Sequence, residues 1–417
     1  MRYRLLNPVE RDSMVEPDFD TWHEHESTHS IKWQFRVTDD GLRPWDQTGA
    51  HQGEDRVLPM WVADMDFSVA PAIHEAIMAR ARHGLYGYAY HSEAYLESII
   101  GWMKRRQGWE ADSDWIVPTP GVVPSIHLIV KRFTQPGDKV LIQRPVYHPF
   151  TFAAERNGRI PVSNSLFRGS QHYQMDFEDL EAKVSRPDVN LAILCSPHNP
   201  VGRVWNTSEL EQFARLCLEH DVLVVADEIH ADLTMPGQTF SPFGALAPEL
   251  VDNAIICTAA SKSFNLAGLK TSNLLIKNPK IRAELRDELE STGLFGVNPF
   301  GLVATQAAYD QSSDWLDRAC AYIADNFSYL ERYLAEHLPA FNVLPLQGTY
   351  LAWIDCRSLG LSVQELGRCF MEDARIYLDE GHIFGVEGEG YMRMNLACPR
   401  SLLEQALGRL RAVLPDA

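Results

Sequence analysis

The residues best suited to chemistry lie at the ends of apolar runs. Ala254-Ile255-Ile256-Cys257-Thr258 reads as a buried strand, and the small and hydroxylic stretch after it holds Lys262, then Lys270. A lysine set in a protein wall is desolvated, which disfavours the ammonium and leaves a nucleophilic amine near neutral pH. Alone, the Ser261-Lys262 pair is ordinary loop sequence. Other runs end in the same way, however. Thr119-Pro120-Gly121-Val122-Val123-Pro124 puts a glycine at the opening of a helix, where free amides and the helix dipole make a seat for phosphate. Pro145-Val146-Tyr147-His148-Pro149 brings an aromatic ring to a strand end, and Ser196-Pro197-His198-Asn199-Pro200-Val201-Gly202 is a rigid turn whose Asn199 amide can donate a hydrogen bond. Asp227-Glu228-Ile229-His230 directly follows Val224-Val225-Ala226, so Asp227 is nearly buried and needs a cationic partner.

The elements that must position these residues alternate. Strands are predicted at Trp115–Pro118, Lys139–Gln143, Ile160–Val162, Leu191–Cys195, Val222–Ala226, Ala254–Thr258 and Asn273–Ile276. Helices are predicted between most of them, at Pro124–Phe133, Pro149–Asn157, Phe177–Val184 and Ser208–His220. That alternation is the signature of an α/β fold with a mainly parallel sheet. The link carrying Lys262 is short for a right-handed crossover, so one antiparallel strand is expected after it. Two helices, about 70–83 and 93–107, precede the sheet and flank an aromatic loop, Leu85-Tyr86-Gly87-Tyr88-Ala89-Tyr90. Beyond about Lys280 the pattern is helical, then becomes an α+β unit with strands at Phe341–Leu346, Thr349–Asp355 and Tyr391–Leu396 and a closing helix, Leu402–Leu414.

Ligands of open α/β sheets sit at the carboxyl ends of the strands, so these polar residues read as one site. One ligand accounts for them: a pyridine ring bearing a phosphate and an aldehyde. The carboxylate keeps the ring nitrogen protonated, the lysine forms a Schiff base, a helix N-terminus takes the phosphate and an aromatic side chain stacks on the ring.

The chain resembles the fold-type I pyridoxal-phosphate enzymes of the aspartate aminotransferase superfamily. More narrowly, it resembles the cystathionine β-lyase/cystalysin branch with its MalY- and PatB-type C–S lyases. The resemblance rests on Trp61-Val62-Ala63-Asp64-Met65-Asp66-Phe67, Tyr86-Gly87-Tyr88, Thr119-Pro120-Gly121-Val122-Val123, the run from Ser196 to Trp205, Asp227-Glu228-Ile229-His230, the run from Ser261 to Leu269, Gly348-Thr349-Tyr350-Leu351 and Arg393-Met394-Asn395. It spans about residues 31 to 417. It implies a large domain on a mainly parallel seven-stranded sheet (71–310), a smaller α+β C-terminal domain (311–417), a segment packing with the latter (31–70) and a polar arm (1–30). By the resemblance, Lys262 is the Schiff-base lysine and proton shuttle, Asp227 pairs with the pyridine nitrogen, Asn199 and His230 face the ring hydroxyl, and Tyr147 stacks. Gly121 and the Val122 and Val123 amides hold the pyridoxal 5'-phosphate, joined by Ser261, Lys270 and Tyr88 of the second subunit of a homodimer. Arg393, with Asn199 and Tyr88, clamps the substrate carboxylate. The chain departs from the wider pattern at three places: Lys270 stands for the usual phosphate-binding Arg, Ala259 for a hydroxyl and Gln347 for a Glu.

Composition fits this reading. The 417 residues are 45% hydrophobic and 23% charged, with a net charge of −18, which argues against nucleic acid and anionic membranes as partners. Neither a membrane span nor a signal peptide is expected, and seven scattered cysteines without a Cys-x-x-Cys pair suit reduced thiols in the cytoplasm. Two motifs are discounted. His25-Glu26-Ser27-Thr28-His29 matches a metalloprotease pattern but lacks an apolar stripe and a third ligand, so no metal is expected and a solvated arm is. Asp64 and Asp66 could be paired acid/base groups, but a helix cap by Asp66 is the simpler expectation. The reaction expected is β-elimination on an S-substituted cysteine such as cystathionine, giving pyruvate, ammonia and a thiol. The rivals are an aminotransferase, a related carbanion reaction such as decarboxylation-coupled deamination, and a regulatory protein that keeps the fold without turnover.

Overall fold

Period-2 alternation builds the centre of the fold. In the computed structural model, which describes residues 18–25, 28–38, 41–45, 56–169, 172–294 and 296–414, seven strands form one sheet. They are β1 (Ile116–Thr119), β2 (Lys139–Ile142), β3 (Ile160–Ser163), β4 (Val189–Cys195), β5 (Leu223–Asp227), β6 (Ala254–Thr258) and β7 (Ser272–Leu275). Val140, Ile142, Ile193, Val225, Ile255 and Leu274 point into one apolar layer; Leu141, Leu194, Val224, Ile256 and Leu275 point into the other. A sheet covered on both faces is what near-continuous apolar runs require. Each such side chain, fully buried, contributes roughly 1.5–3 kcal/mol of transfer free energy.

The strand order is β1-β7-β6-β5-β4-β2-β3. β7 runs antiparallel to both its neighbours, as its short link demands, and the other neighbouring pairs are parallel. The carboxyl ends of β1, β2, β4, β5 and β6 therefore share one edge, and every run singled out in the sequence leaves from that edge.

The helices on the two faces follow their apolar stripes. α1 (Pro71–His83) ends at Gly84, whose φ of 75° terminates it. α2 (Val122–Phe133) starts two residues earlier than its apolar period suggested, directly after Gly121 at φ 145°. α3 (Thr207–Glu219) buries Leu210, Phe213, Ala214 and Cys217, one stripe at i, i+3, i+4 and i+7, and opens with a reciprocal capping box between Asn206 and Glu209. Between β6 and β7 lie only the single turn α4 (Ala260–Ser263) and a 3-10 turn at Ala267–Leu269. A second sheet, ordered β8-β9-β11-β10, is antiparallel throughout: β8 (Asn342–Val343), β9 (Leu351–Asp355), β10 (Asp379–Glu380) and β11 (Tyr391–Asn395). Residues Leu58–Pro59 reach this part of the chain by pairing in parallel with Ile376–Tyr377.

Two expectations need correction. Asp66 does not cap α1, whose N-cap is Ala70 with no side-chain bond. Its carboxylate instead pairs with the buried ammonium of Lys32 at 2.7 Å and accepts the indole N–H of Trp33 at 2.8 Å. The strong cation takes it, and Pro71 at the first helical position needs no cap for its missing N–H. Nor are residues 18–25 a solvated arm: Phe19 is buried against Phe67 and Trp315, and His25 stacks on Trp33 at 4.5 Å. Residues 1–17, and Glu26-Ser27 of the metalloprotease-like run, lie outside the described residues. No helix among the described residues is long and apolar enough to cross a membrane.

One glycine in α5 (Pro299–Gln311) tests how tightly the lysine link is held. A Cβ at Gly301 would overlap Thr271 Oγ1 and lie 3.0 Å from the Leu269 carbonyl. Helix propensity alone favours Gly→Ala by roughly 1 kcal/mol, whereas overpacking costs about 1–3 kcal/mol. Contact this close makes the clash win, so Gly301→Ala lowers the unfolding free energy measured by denaturant titration; an increase would show that the link yields freely.

Candidate active site

One cavity of about 190 Å³ opens at the carboxyl edge of the sheet. A water needs roughly 10–15 Å³ by such a measure, so the space is that of a small organic molecule. Its wall gathers ten of the predicted residues: Gly121, Val122 and Val123 from the mouth of α2, Tyr147 after β2, Asn199 after β4, Asp227 at the end of β5, His230 beyond it, and Ser261, Lys262 and Lys270 from the lysine link. Arg393, on β11, reaches the same group from behind by donating from Nη1 to Asn199 Oδ1 at 3.0 Å. Tyr88 is not brought in. It is fully exposed at 104%, in a loop whose Leu85, Tyr86 and Tyr90 are exposed as well.

Thr119, Ser125 and Ser272 form a buried hydroxyl chain, with contacts of 2.8 and 2.7 Å, and Ser125 also donates to the Gly121 carbonyl at 2.8 Å. This chain ties the mouth of α2 to β1 and β7. Val122 and Val123, in the first turn of α2 where amides lack intrahelical acceptors, line the cavity together with Lys270. Opposite them, the Lys262 ammonium donates to the Ala63 carbonyl at 2.6 Å. Burial pushes the Lys262 amine down to about 8; Arg393 and Lys270 push the same way, while Asp64 and Asp227 oppose them.

Asp227 is 3% exposed. Its Oδ1 accepts the Ile229 amide at 3.1 Å, and no ion pair to it is found among the described residues. Burial pushes its carboxyl up to about 7, against the Ile229 amide and Lys262. The cationic partner inferred from the sequence is thus not a protein side chain in contact. His230 is buried, holds a neutral imidazole because burial, Lys262 and Arg393 all disfavour its cation, and leaves Nδ1 without a hydrogen-bond partner among the described residues. Tyr147 stays a neutral phenol, pushed up to about 12 by burial.

Arg393 is held from three sides. Besides Asn199, its Nη2 donates to the Trp61 carbonyl at 2.7 Å and pairs with Asp379, the residue directly opposite it on β10. Its buried Nε has no hydrogen-bond partner among the described residues.

Several groups escaped sequence reasoning. The carbonyls of Trp61 and Ala63 carry no side-chain signal at all. Tyr350, which donates to Ala63 O at 2.9 Å, stood within a recognised motif but without a role. Asp379 could be found only from the cross-strand register, which Phe384 and the turns around it obscure. Gln347, out of pattern in the sequence, accepts from Arg203 at 2.7 Å and from the Val204 amide at 3.1 Å.

Comparison with known proteins settles the family. The aminotransferase class I and II family matches residues 60–410. The chain belongs to that family. Cystathionine β-lyase PatB of Bacillus subtilis is 40% identical over 95% of this chain and 100% of its own length. Protein MalY of Escherichia coli is 34% identical over 88% of this chain and 94% of its own. Among solved structures, cystalysin from Treponema denticola, whose crystal structure contains a pyridoxal 5'-phosphate cofactor, superposes with a TM-score of 0.90 at 35% identity, covering 97% of this chain and 100% of that one. Within the family the chain falls in the branch that holds these three proteins.

The buried carboxyl gives a test independent of any reaction. A folded-state value near 7 against an ordinary 3.8 means that Asp227 keeps its proton in the fold between those values and loses it when unfolded. Its contribution to stability therefore falls as pH rises from about 4 to 7 and is fully unfavourable above 7. In the ligand-free protein, Asp227→Asn raises thermal stability at pH 8, by on the order of 2–4 kcal/mol, and the gain disappears toward pH 4. A pH-independent difference in melting temperature would contradict the assignment.

Proposed function

We propose that this protein is a pyridoxal 5'-phosphate-dependent C–S β-lyase that cleaves an S-substituted L-cysteine such as cystathionine, with water, to a thiol, pyruvate and ammonia. The observation that carries the reading is Asp227 at the end of β5 with Lys262 in the turn that follows the adjacent strand β6: a largely desolvated amine pushed toward neutrality, and a buried carboxylate with no cationic side chain in contact among the described residues. The likeness to PatB, MalY and cystalysin supports it.

The residues fit the cofactor. Asp227 lacks the positive partner that a protonated pyridine nitrogen would supply, and His230 Nδ1 lacks a hydrogen-bond partner beside the same cavity. The α2 amides and Lys270 offer a phosphate four sources of attraction: Val122 N–H, Val123 N–H, the helix dipole and the ammonium. Held there by these residues, pyridoxal phosphate would supply an electron sink for the pair released at Cα of the amino acid.

The chain's own groups then divide the work. Lys262 Nζ, with its proton affinity lowered toward the working pH, takes the proton from Cα and holds it near the departing sulfur. Asp227 would pair with the ring nitrogen and keep its proton there. Tyr147, as a neutral phenol lining the cavity, would stack on the ring. Arg393 clamps the α-carboxylate; its fork is held by Asp379, the Trp61 carbonyl and Asn199, so little reorganises when the substrate arrives. Asn199 and His230 would offer hydrogen bonds to the ring hydroxyl, and Ser261 would help to hold the phosphate.

We also read the exposed Leu85–Tyr90 loop as an interface of a homodimer, with Tyr88 entering the site of the second copy. The seven free thiols suit a reducing cytoplasm. The test is incubation of the purified holoenzyme with L-cystathionine and no keto acid. Pyruvate and thiol released in equal amounts are the expected products; turnover that appears only on adding a keto-acid acceptor would establish transamination instead.

A further inference from the structure

Lys32 lies far from the cavity in sequence and is 1% exposed. A buried ammonium persists only where anions and acceptors surround it. Here Nζ meets Asp66 Oδ2 at 2.7 Å, the Asp64 carbonyl at 3.3 Å and Asp64 Oδ1 at 3.6 Å. Its neighbour Trp33 takes the other oxygen of Asp66 at 2.8 Å, and Trp61 Nε1 returns a bond to the Lys32 carbonyl at 3.2 Å. The short helix Ile31–Gln34 thus grips the strap of residues 61–66 at both ends.

That strap carries no substrate-facing side chain in the reading above, yet its backbone touches both central cations. Ala63 O lies 2.6 Å from Lys262 Nζ, and Trp61 O lies 2.7 Å from Arg393 Nη2. We infer that Lys32 is a positioning residue: by fixing Asp64 and Asp66 it sets where these two carbonyls stand, and through them where Lys262 and the Arg393 fork point. A buried ion pair commonly gives little net stability over an apolar pair of equal volume, so its value here is the fixed placement of the strap. The inference rests on Lys262 and Arg393 having the roles proposed above.

The test uses the holoenzyme carrying Lys32→Met, with two readouts that need no C–S cleavage. Amide hydrogen exchange in residues 60–67 is expected to accelerate while the central sheet stays protected. The apparent Kd for L-alanine, followed by the visible absorbance of the bound cofactor, is expected to rise on the order of 10–100-fold, the cost of misplacing a clamp by about 1 Å. A lower melting temperature with unchanged Kd per cofactor-bearing subunit overturns the inference, whatever the exchange. If Lys32→Met does not fold, Asp66→Asn takes its place, keeping the volume and removing the paired charge, and the same readouts decide. A wild-type protein that binds L-alanine but leaves cystathionine intact would refute the lyase reading and leave this one standing.

Discussion

The strap from Trp61 to Phe67 is the constraint on which the site depends. Its carbonyls are buried, and a buried carbonyl must find a donor. Ala63 O receives Lys262 and Tyr350; Val62 O and Asp64 O receive Asn395, each at 2.6 Å; Met65 O and Phe67 O receive Asn265 at 2.9 and 3.1 Å. Asn265 also accepts the Met65 amide at 3.0 Å, from a left-handed backbone at φ 58° that asparagine tolerates. Three parts of the chain, the lysine link, β11 and the helix at Ile31–Gln34, therefore agree on one position for a segment with no regular structure of its own.

The sheet makes that agreement possible. Parallel strands deliver their carboxyl ends to one edge, and the antiparallel β7 returns the chain so that Lys270 and Thr271 stand beside the α2 mouth. Low dielectric then does the chemical tuning. The same burial that pushes the Lys262 amine down pushes the Asp227 carboxyl up, because in each case the charged form loses water. Two groups of opposite sign, desolvated together, are left short of charge compensation that a zwitterionic pyridine with a phosphate can provide.

Most of this was legible in the sequence where one element sufficed. Strands β4 to β6, the stripe of α3, the glycine before α2 and the polar residues at strand ends all declare themselves through local period or composition. The aminotransferase family and its lyase branch were legible through motifs. What was hidden depends on distance along the chain. Asp66 looked like a helix cap because Pro71 follows it, and nothing local announces Lys32 thirty-four residues away. The buried end of the arm was missed for the same reason: Phe19 is one aromatic in a polar stretch, and its partners Phe67, Trp315 and Tyr322 are far along the chain. Backbone carbonyls have no residue type to read. Tyr88, expected at the site through the resemblance, faces solvent in a single chain.

The central claim is that the cofactor is held covalently by Lys262, and reduction of the holoenzyme with sodium borohydride tests it directly. Borohydride fixes pyridoxal phosphate to the amine that carries it, and peptide mass mapping then locates the added mass. The account predicts a single modified peptide spanning Lys262. Label on Lys270 or Lys32 instead, or no label on a protein that retains its visible absorbance, would contradict it.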